Sequence, residues 1–256
     1  MILGDFKKFS VRFTGIWFCE YPQDIYPKAD ILIYHDQKNK QDICSKVYTY
    51  EDQCSLISDL TLPEEELFSQ NSKNGRNEIR RAKSDSVEIK HYSSKDILDK
   101  NEILNSFVND YFKLLKEKKI ANAYNAEAVK NYIKTGHFWL SYATDNDSFT
   151  LWHGYIADKK NVKLLYSASN FRSAEINRNS SGRINRLLHW QDMLFFKDAG
   201  VESYDWGGVG NNFEFKSGIS KFKKSFGGTP VRYHTLILAN SLKGKLAIKL
   251  LKRLKK

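Results

Sequence analysis

The sequence predicts a mixed α/β fold. The first part of the chain alternates apolar and polar residues as a strand meander does, and the second part interleaves strands with amphipathic helices. Strict alternation of strand and helix is absent, which excludes a doubly wound parallel sheet and a TIM barrel. The chain has 256 residues, of which 41% are hydrophobic, so it can bury a substantial core.

The first part of the chain begins with strands and continues into helices. Predicted strands run from Phe9 to Phe18, Ala29 to His35, Lys46 to Tyr50 and Ser55 to Ser58. A helix is predicted from Leu62 to about Lys83, with Thr61 as its N-cap and Pro63 in its first turn. A strand and two helices follow, at Val87 to Tyr92, Asp96 to Lys118 and Ala126 to Thr135.

The second part contains a strand meander and a long helix. Predicted strands run from His137 to Thr144, Thr150 to Ala157 and Val162 to Ser169. An amphipathic helix from Gly182 to Ala199 ends at Gly200, a natural terminator. The remaining predicted elements are a strand at Ser203 to Trp206, a helix at Ser217 to Ser225 and a strand at Val231 to Ala239.

Positive charge is concentrated towards the C-terminal end. The formal net charge is +11, and residues 221–256 hold eleven Lys and Arg and no Asp or Glu. Such a segment can face the phosphates of a cofactor, a nucleic acid or an anionic membrane, or it can stay solvated. Within Ser241 to Lys256, Leu242, Leu246, Leu250 and Leu254 recur at steps of four. This spacing predicts a basic amphipathic helix that lies on an anionic membrane or docks on the protein.

Cysteine usage and hydropathy bear on the compartment. Cys19, Cys44 and Cys54 are odd in number and fit no C-x-x-C spacing, so neither a disulfide framework nor a metal site is predicted. No stretch of eighteen uncharged apolar residues exists, and Met1 to Arg12 has no secretory pattern. We therefore expect a cytoplasmic protein, at most peripheral at the inner face of the membrane.

A glycine-rich segment near the C-terminal end carries the chemistry. The run Tyr204-Asp205-Trp206-Gly207-Gly208-Val209 is followed by a second run, Gly218 to Gly228. Glycines after a strand allow close approach of a ligand and leave amides free to bind oxygen atoms. In the next helix Lys223 could stabilise the oxyanion that forms as an amine attacks a carbonyl, and Asp205 could accept the proton of the amine. Alternatively, Phe222 and Phe226 are core residues and the lysines are solvated.

This segment resembles the C-terminal signature of FemAB-like transferases in the GNAT superfamily. The shared elements are Tyr-Asp-x-Gly-Gly, then Gly-Ile, then Phe-Lys-x-x-Phe-Gly; Tyr166 to Ser169 and Leu187 to Trp190 agree with it. The resemblance implies a GNAT fold. It also implies a degenerate GNAT-like lobe at residues 1–95, a complete catalytic core at 96–240 and the basic helix at 241–256.

The resemblance also implies residue roles. Lys223, Asp205 and Tyr204 would act in catalysis, with Tyr204 or Tyr166 protonating a departing thiolate. The donor would bind at Ser167, Ser169, Arg178, Gly182, Arg183, Gly207 and Gly208, and the acceptor at Arg76, Arg80, Arg81, Trp190 and Phe222. Arginine forks match carboxylate or phosphate oxygens. Alternatively, these arginines pair with Glu78 and Asp85 on a surface helix.

The donor is the open part of this interpretation. Simple GNAT acetyltransferases carry a glycine-rich pyrophosphate motif before the long helix, and only one of its glycines is found between Arg178 and Arg183. We expect transfer from an acyl-CoA, without a permanently bound cofactor or metal, to an amine of a sugar nucleotide or lipid-linked cell-envelope glycan precursor. Aminoacyl-tRNA is the alternative donor. A second alternative is a non-catalytic GNAT scaffold whose basic tail binds nucleic acid or membrane; no DNA partner is expected.

Overall fold

The computed structural model describes residues 1–19, 28–40, 48–84, 87–119, 121, 123–145, 149–171, 178–210 and 213–254. Cys44, Asp85, Lys255, Lys256 and the side chains of Arg178 and Leu254 lie outside the described part of the chain. Among the described residues, no helix combines the length and the apolar composition needed to cross a membrane.

The described ranges form ten strands and eight helices. The strands are β1 (Ile2–Lys8), β2 (Val11–Trp17), β3 (Ile31–Gln37), β4 (Tyr48–Asp59), β5 (Val87–Tyr92), β6 (Phe138–Asp145), β7 (Phe149–Ala157), β8 (Asn161–Ser169), β9 (Ser203–Gly208) and β10 (Thr229–Ala239). The helices are α1 (Glu64–Gln70), α2 (Lys73–Ser84), α3 (Ser94–Asp99), α4 (Asn101–Lys118), α5 (Ala126–Lys134), α6 (Arg178–Asp198), α7 (Gly218–Lys224) and α8 (Leu242–Leu254). The mixed α/β class predicted from the sequence is confirmed.

All ten strands form one sheet, in the order β1-β2-β3-β10-β4-β9-β8-β7-β6-β5. Neighbouring strands are antiparallel except for the pairs β2–β3 and β8–β9. Strand β10, late in the chain, lies between β3 and β4. The two ends of the chain therefore share one hydrogen-bonded sheet, while the division into a degenerate lobe and a catalytic core stays a prediction.

Two differences from the predicted strands have a common cause. Strand β1 was not predicted; it pairs with β2 through a turn at Phe9 and Ser10, both with positive φ. The two short strands predicted around Tyr50 and Ser55 are one continuous strand, β4, because β10 pairs with it from Tyr48 to Ile57. In both cases a neighbouring strand provides the hydrogen-bonding partners, so local propensity alone underestimates the extent of the strand.

Two predicted helices are each divided. The helix predicted from Leu62 breaks at Asn71, whose buried side-chain amide donates to the carbonyls of Leu67 and Phe68. Thr61 is not its N-cap, because its hydroxyl donates to Asp59 instead, at 2.6 Å. The helix predicted from Asp96 begins earlier, since Ser93 and Asp96 form a capping box, and it breaks at Lys100.

The sheet is covered on both faces. On one face α2 and α6 pack against β4, β7, β8 and β9 around the buried rings of Trp190, Tyr204 and Trp206. On the other face α4 and α5 cover β6, β7 and β8 around Phe107, Tyr132 and Trp152. Side chains that alternate along β8 and β9 therefore reach two different environments.

Helix α8 packs against the start of β3 and the end of β10. Its backbone comes close to the rest of the protein at Gly244. A Cβ atom at Gly244 would lie 2.0 Å from the backbone oxygen of Asp30, which no side chain tolerates. Gly182, inside α6, would place a Cβ in open space. The same substitution should therefore have opposite effects at these two helical glycines.

We predict that Gly244→Ala lowers the free energy of unfolding by about 1–3 kcal/mol, because the backbone must move apart. Gly182→Ala is its matched control and should raise that free energy by roughly 0.5–1 kcal/mol through helix propensity. Urea unfolding followed by circular dichroism measures both values. Changes of the same sign would contradict the close packing of α8.

Candidate functional site

The parallel ladder between β8 and β9 is short. It joins Asn161–Lys163 to Ser203–Asp205 and then ends. Strand β9 continues beside β4, where Ser55 lies opposite Gly208. Strand β8 carries a register shift against β7 between Gly154 and Tyr155. Crevices at the carboxyl ends of neighbouring parallel strands are frequent ligand sites in α/β sheets, so this end of β9 is where a site is expected.

Gly207 occupies a position that only glycine fits. Its φ is +70°, and a Cβ there would lie 2.8 Å from the backbone oxygen of Leu164 on β8. Gly208 follows, exposed, with open space where a Cβ would be. The two glycines let β9 approach β8 closely and then expose the backbone to a ligand.

Lys223 on α7 reaches this exposed backbone. Its Nζ donates to the backbone oxygen of Gly208 at 3.0 Å. Burial lowers the pKa of Lys223 to about 8; the carboxylate of Asp205 opposes this shift, and the ammonium of Lys163 adds to it. The predicted residues Gly207, Gly208, Asp205 and Lys223 are therefore brought together; we call these four residues the β9 site.

Asp205 holds the glycine turn rather than standing free. One carboxylate oxygen accepts from the backbone N–H of Gly207 at 2.7 Å and from the hydroxyl of Ser55. The other accepts from Nζ of Lys163 at 3.1 Å, and Lys163 also donates to Asp36 at 2.7 Å. The role of Asp205 as proton acceptor stays a prediction; what the geometry supports directly is the positioning of Gly207.

Asp36, Lys163 and Asp205 form a buried ion triad across β3, β8 and β9. Lys163 is 4% exposed and lies over the rings of Trp17 and Tyr233. Burial alone would lower the pKa of Lys163, but the two carboxylates outweigh it and raise that pKa. Burial raises the pKa of Asp36. A cavity of about 390 Å³ opens beside the triad and is lined by Asp36, Asp205 and Tyr233 among others.

Tyr204 faces the opposite side of the sheet, so its predicted role as proton donor to a leaving thiolate is corrected. Its side chain is fully buried between β9 and α6, and burial raises its pKa well above the usual value. Its hydroxyl lies 2.8 Å from that of Tyr155 and 3.1 Å from Nδ1 of His189. Tyr204 is thus an internal member of a hydrogen-bond network.

Asp192 is the anion at the centre of this network. Its side chain is fully buried and accepts hydrogen bonds from Tyr155 at 2.6 Å, His153 at 2.7 Å and His91 at 2.9 Å. Burial alone would raise the pKa of Asp192, but the bonds from His153 and His91 hold it well below its usual value. Asp192 is therefore ionised inside the core, where its charge is compensated by donors.

The network determines the tautomer of His189. The hydroxyl of Tyr155 donates its one proton to the carboxylate of Asp192, so in the bond between the two tyrosines the hydroxyl of Tyr204 must be the donor. Tyr204 then accepts from Nδ1–H of His189, which leaves the lone pair on Nε2. Burial lowers the pKa of His189 well below its usual value, so the ring is neutral.

The same side chains offer the only metal-ligand cluster found among the described residues. Ligand atoms of His153, His189 and Asp192 lie within 4.8 Å of one another. However, the oxygens of Asp192 already accept three hydrogen bonds, and Nδ1 of His189 binds Tyr204. These residues satisfy one another by hydrogen bonding, which favours a structural network.

The three predicted acceptor arginines have different surroundings. The role of Arg76 is corrected, because its guanidinium donates to the backbone oxygens of Ser69 and Asn71 and closes the end of α1. Arg80 lies over the ring of Phe68. Arg81 shares a hollow of about 310 Å³ with Arg183 near the first turns of α6. Glu78, expected to pair with the arginines of its own helix, binds Arg186 of α6 instead.

The remaining predicted residues also separate. Trp190 is corrected to a core residue, since it is 1% exposed and packs edge-on against Phe68. Phe222 packs beneath Arg186 and beside His189, next to the β9 site. Ser167 is exposed and Ser169 half-buried on β8 beyond the end of its ladder with β9.

The predicted phosphate loop is helical. Helix α6 begins at Arg178, so Gly182 lies in its second turn. The backbone amides without a partner inside the helix belong to the first turn, and therefore to residues before Gly182. Arg183 donates to the hydroxyl of Ser180. Of the predicted donor contacts in this segment, Arg183 lines the hollow that it shares with Arg81.

Several charged residues around the β9 site and in the network of Asp192 were missed from the sequence. Lys163 and Asp192 each lie within an apolar run of a predicted strand or helix, and that placement was the available signal. Asp36 and Arg186 carried no such signal. Their importance comes from partners that are distant in the chain.

No protein-family model and no curated protein sequence matches the chain. Solved structures do. The C-terminal domain of a protein described as a lysylphosphatidylglycerol synthetase from Agrobacterium fabrum is 13% identical, with a TM-score of 0.58, over 96% of this chain and 83% of that one. L-PGS from Bacillus licheniformis is 14% identical, with a TM-score of 0.57, over 98% and 85%. FemX is 13% identical, with a TM-score of 0.57, over 84% and 68%.

These likenesses establish the fold. The chain has the GNAT-like fold of FemX and L-PGS, which confirms the fold predicted from the motif at residues 204–228.

We predict that Asp205→Asn lowers the free energy of unfolding by about 3 kcal/mol, because the amide nitrogen of asparagine cannot accept the hydrogen bond that buried Nζ of Lys163 donates to Asp205. Glu202→Gln is the matched control: it removes the exposed pair with Lys160 at 3.2 Å and should cost less than about 1 kcal/mol. Urea unfolding at neutral pH measures both. Equal costs would contradict the importance of the triad.

The neutral state of His189 predicts a dependence of stability on pH. Its pKa is lowered in the folded protein, so below a pH of about 6.5 the unfolded chain binds a proton that the native chain does not. Stability should therefore fall as the pH falls, by about 2 kcal/mol between pH 7 and pH 5 from this residue. Unfolding free energies of His189→Gln should fall less steeply over that range. The same slope in both proteins would contradict a neutral His189.

Proposed function

We propose that this protein transfers an acyl or aminoacyl group to an amine, by direct attack of the amine on the carbonyl carbon of the donor. The observation that carries the proposal is the placement of Lys223 at the end of β9, with its Nζ 3.0 Å from the oxygen of Gly208. The ammonium of Lys223, partly desolvated, lies beside exposed backbone on a fold shared with FemX and L-PGS.

The chemistry of this arrangement suits a tetrahedral intermediate. Attack forms a bond between the amine nitrogen and the carbonyl carbon and places negative charge on the carbonyl oxygen. Lys223 uses one N–H on Gly208, so two remain to donate to that oxygen. Collapse breaks the bond to the leaving thiolate or alkoxide, and the proton lost by the amine passes to that group or to solvent.

The donor proposed first is an acyl-CoA. The hollow near the start of α6 supports a donor with phosphate groups, because it is lined by Arg81 and Arg183. Glu78 also lines it, and its carboxylate is paired with Arg186. Aminoacyl-tRNA also carries phosphates and is the second candidate. The similar domain from Agrobacterium fabrum favours it, because that protein is described as a synthetase of a lipid that bears a lysyl group.

The acceptor proposed is an amine of a sugar nucleotide or of a lipid-linked cell-envelope glycan precursor. The cavity beside Asp36 and Asp205 supports a cationic amine, because Lys163 compensates only one of the two carboxylates. A lipid-linked acceptor requires contact with a membrane, and the segment Ser241 to Lys256 is the proposed peripheral contact with an anionic surface at its inner face.

The test begins with the donor. A donor that binds the native protein raises the midpoint of thermal unfolding, so acetyl-CoA, longer acyl-CoAs and charged tRNA are compared first. Transfer from the donor that binds is then measured with UDP-amino sugars and with lipid-linked amino sugars as acceptors. No binding and no transfer with any of them would favour a non-catalytic scaffold.

We predict that Lys223→Met lowers kcat by about 10²–10³-fold, because the oxyanion loses its cation. Lys221→Met, an exposed lysine of the same helix, is the matched control and should leave kcat unchanged. The pKa of about 8 adds a signature: the rate should fall as the pH rises through that value, when Lys223 loses its proton. Lys223→Arg should keep activity without that fall, since arginine stays charged.

Two results would contradict this role of Lys223. One is full activity in Lys223→Met, and the other is an unchanged pH profile in Lys223→Arg. Donor binding, followed separately by thermal unfolding, distinguishes a lost catalytic cation from a lost binding site.

A further inference from the structure

Three leucines of helix α8 are exposed to solvent. Leu242 is 78% exposed, Leu246 65% and Leu250 58%, and their spacing of four places them on one stripe. The opposite side of the helix is the packed one, where Gly244 and Ile248 are buried against β3 and β10. The exposed leucines are therefore not what docks the helix on the protein.

A second exposed apolar side chain lies next to the start of α8. Phe9, at the turn between β1 and β2, is 88% exposed. Nζ of Lys243 donates to the backbone oxygen of Ser10, which holds this turn against the first turn of α8. We call Phe9, Leu242, Leu246 and Leu250 the apolar ridge.

The backbone at Phe9 has the geometry of a tight hairpin turn. Phe9 and Ser10 both have positive φ, +47° and +58°, as the two central residues of a type I′ turn do. Glycine and asparagine are the residues favoured there, and this turn instead presents an aromatic ring to solvent.

The ridge is surrounded by cations. Two lysines at the end of β1 and three on α8 are exposed: Lys7, Lys8, Lys243, Lys245 and Lys249. Residues 241–256 contain no Asp or Glu. Beside β1, the carboxylate of Glu127 accepts a hydrogen bond from the backbone N–H of Lys7 at 2.6 Å. The surface thus combines apolar side chains at its crest with ammonium groups on its flanks.

We propose that the apolar ridge and its flanking lysines bind the surface of an anionic lipid bilayer, with Phe9 and the leucines inserted below the headgroups. The lysines would then lie at the level of the lipid phosphates, as in interfacial amphipathic helices. A nucleic acid would satisfy the lysines but leave the leucines in water, and an anionic bilayer satisfies both.

This inference extends the membrane contact proposed above by adding the Phe9 turn and by specifying which face of α8 enters the bilayer. It does not require the transfer reaction. Vesicle binding and group transfer are measured separately, so either can fail without the other.

The test is co-sedimentation of the full chain with lipid vesicles. Binding is expected to vesicles of phosphatidylglycerol and phosphatidylcholine, weaker binding to phosphatidylcholine alone, and a decrease with salt. Leu246→Gln and Leu250→Gln should each weaken the partition by about tenfold, the worth of an inserted leucine. Leu98→Gln is the matched control, because Leu98 is 53% exposed on α3, outside the ridge, and should bind as the original chain does.

Two further variants separate insertion from attraction. Phe9→Trp should keep binding, and its added emission should be quenched by brominated lipid in the vesicles. Lys245→Gln and Lys249→Gln should each weaken binding to the anionic vesicles by about fivefold and leave binding to neutral vesicles unchanged. The midpoint of thermal unfolding is measured for every variant. Because the substituted side chains are exposed, we expect unchanged midpoints, and unchanged midpoints exclude misfolding.

Three outcomes would overturn the proposal. The first is no sedimentation with anionic vesicles. The second is binding that depends on the lysines and not on Leu246 or Leu250, together with equal binding to RNA, which would assign the surface to a nucleic acid. The third is concentration-dependent dimerisation that Leu246→Gln abolishes while vesicle binding persists, which would assign the ridge to a second copy of the chain.

Discussion

The ion triad of Asp36, Lys163 and Asp205 is the interaction on which the site depends. It joins three strands that are far apart in the chain, and it places a carboxylate under the Gly207 amide. Two buried carboxylates share one ammonium, an arrangement that is stable only because Ser55, Gln53 and the Gly207 amide supply further donors. The turn at Gly207 and Gly208, and with it the position of Lys223, follows from this anchoring.

Strand β9 separates a buried ion triad on one face of the sheet from a buried hydrogen-bond network on the other. Asp205 belongs to the charged triad on one face, and its neighbours Tyr204 and Trp206 belong to the buried side facing α6. Because successive side chains of a strand point to opposite faces, adjacent residues serve different environments without contact between them. The network around Asp192 stabilises the packing of α6 and sets the tautomer of His189, while the triad holds the backbone that faces a ligand.

The elements with strong periodicity were predicted well from the sequence. Strands β5 to β8 and helices α5 and α6 appear within a few residues of their predicted bounds. Strand β1 and the continuity of β4 were not, because each depends on a partner strand supplied by another part of the chain. The candidate site divides in the same way. Asp205, Gly207 and Gly208 come from one strand and Lys223 from the next helix, so a local motif was enough to group them.

The sequence by itself determined the mixed α/β class, the GNAT-like fold implied by the motif at residues 204–228, and the basic amphipathic character of the last helix. Only the tertiary structure decided which side chains share a site. In the folded protein Tyr204 and Trp190 are buried, and Arg76 donates to backbone oxygens at the end of α1. Asp36 and Lys163 lie beside Asp205 in the ion triad. The tertiary structure also decided which face of α8 is packed. The physical reason is that periodicity specifies that a face is apolar, whereas burial, pKa and pairing depend on which distant element covers that face.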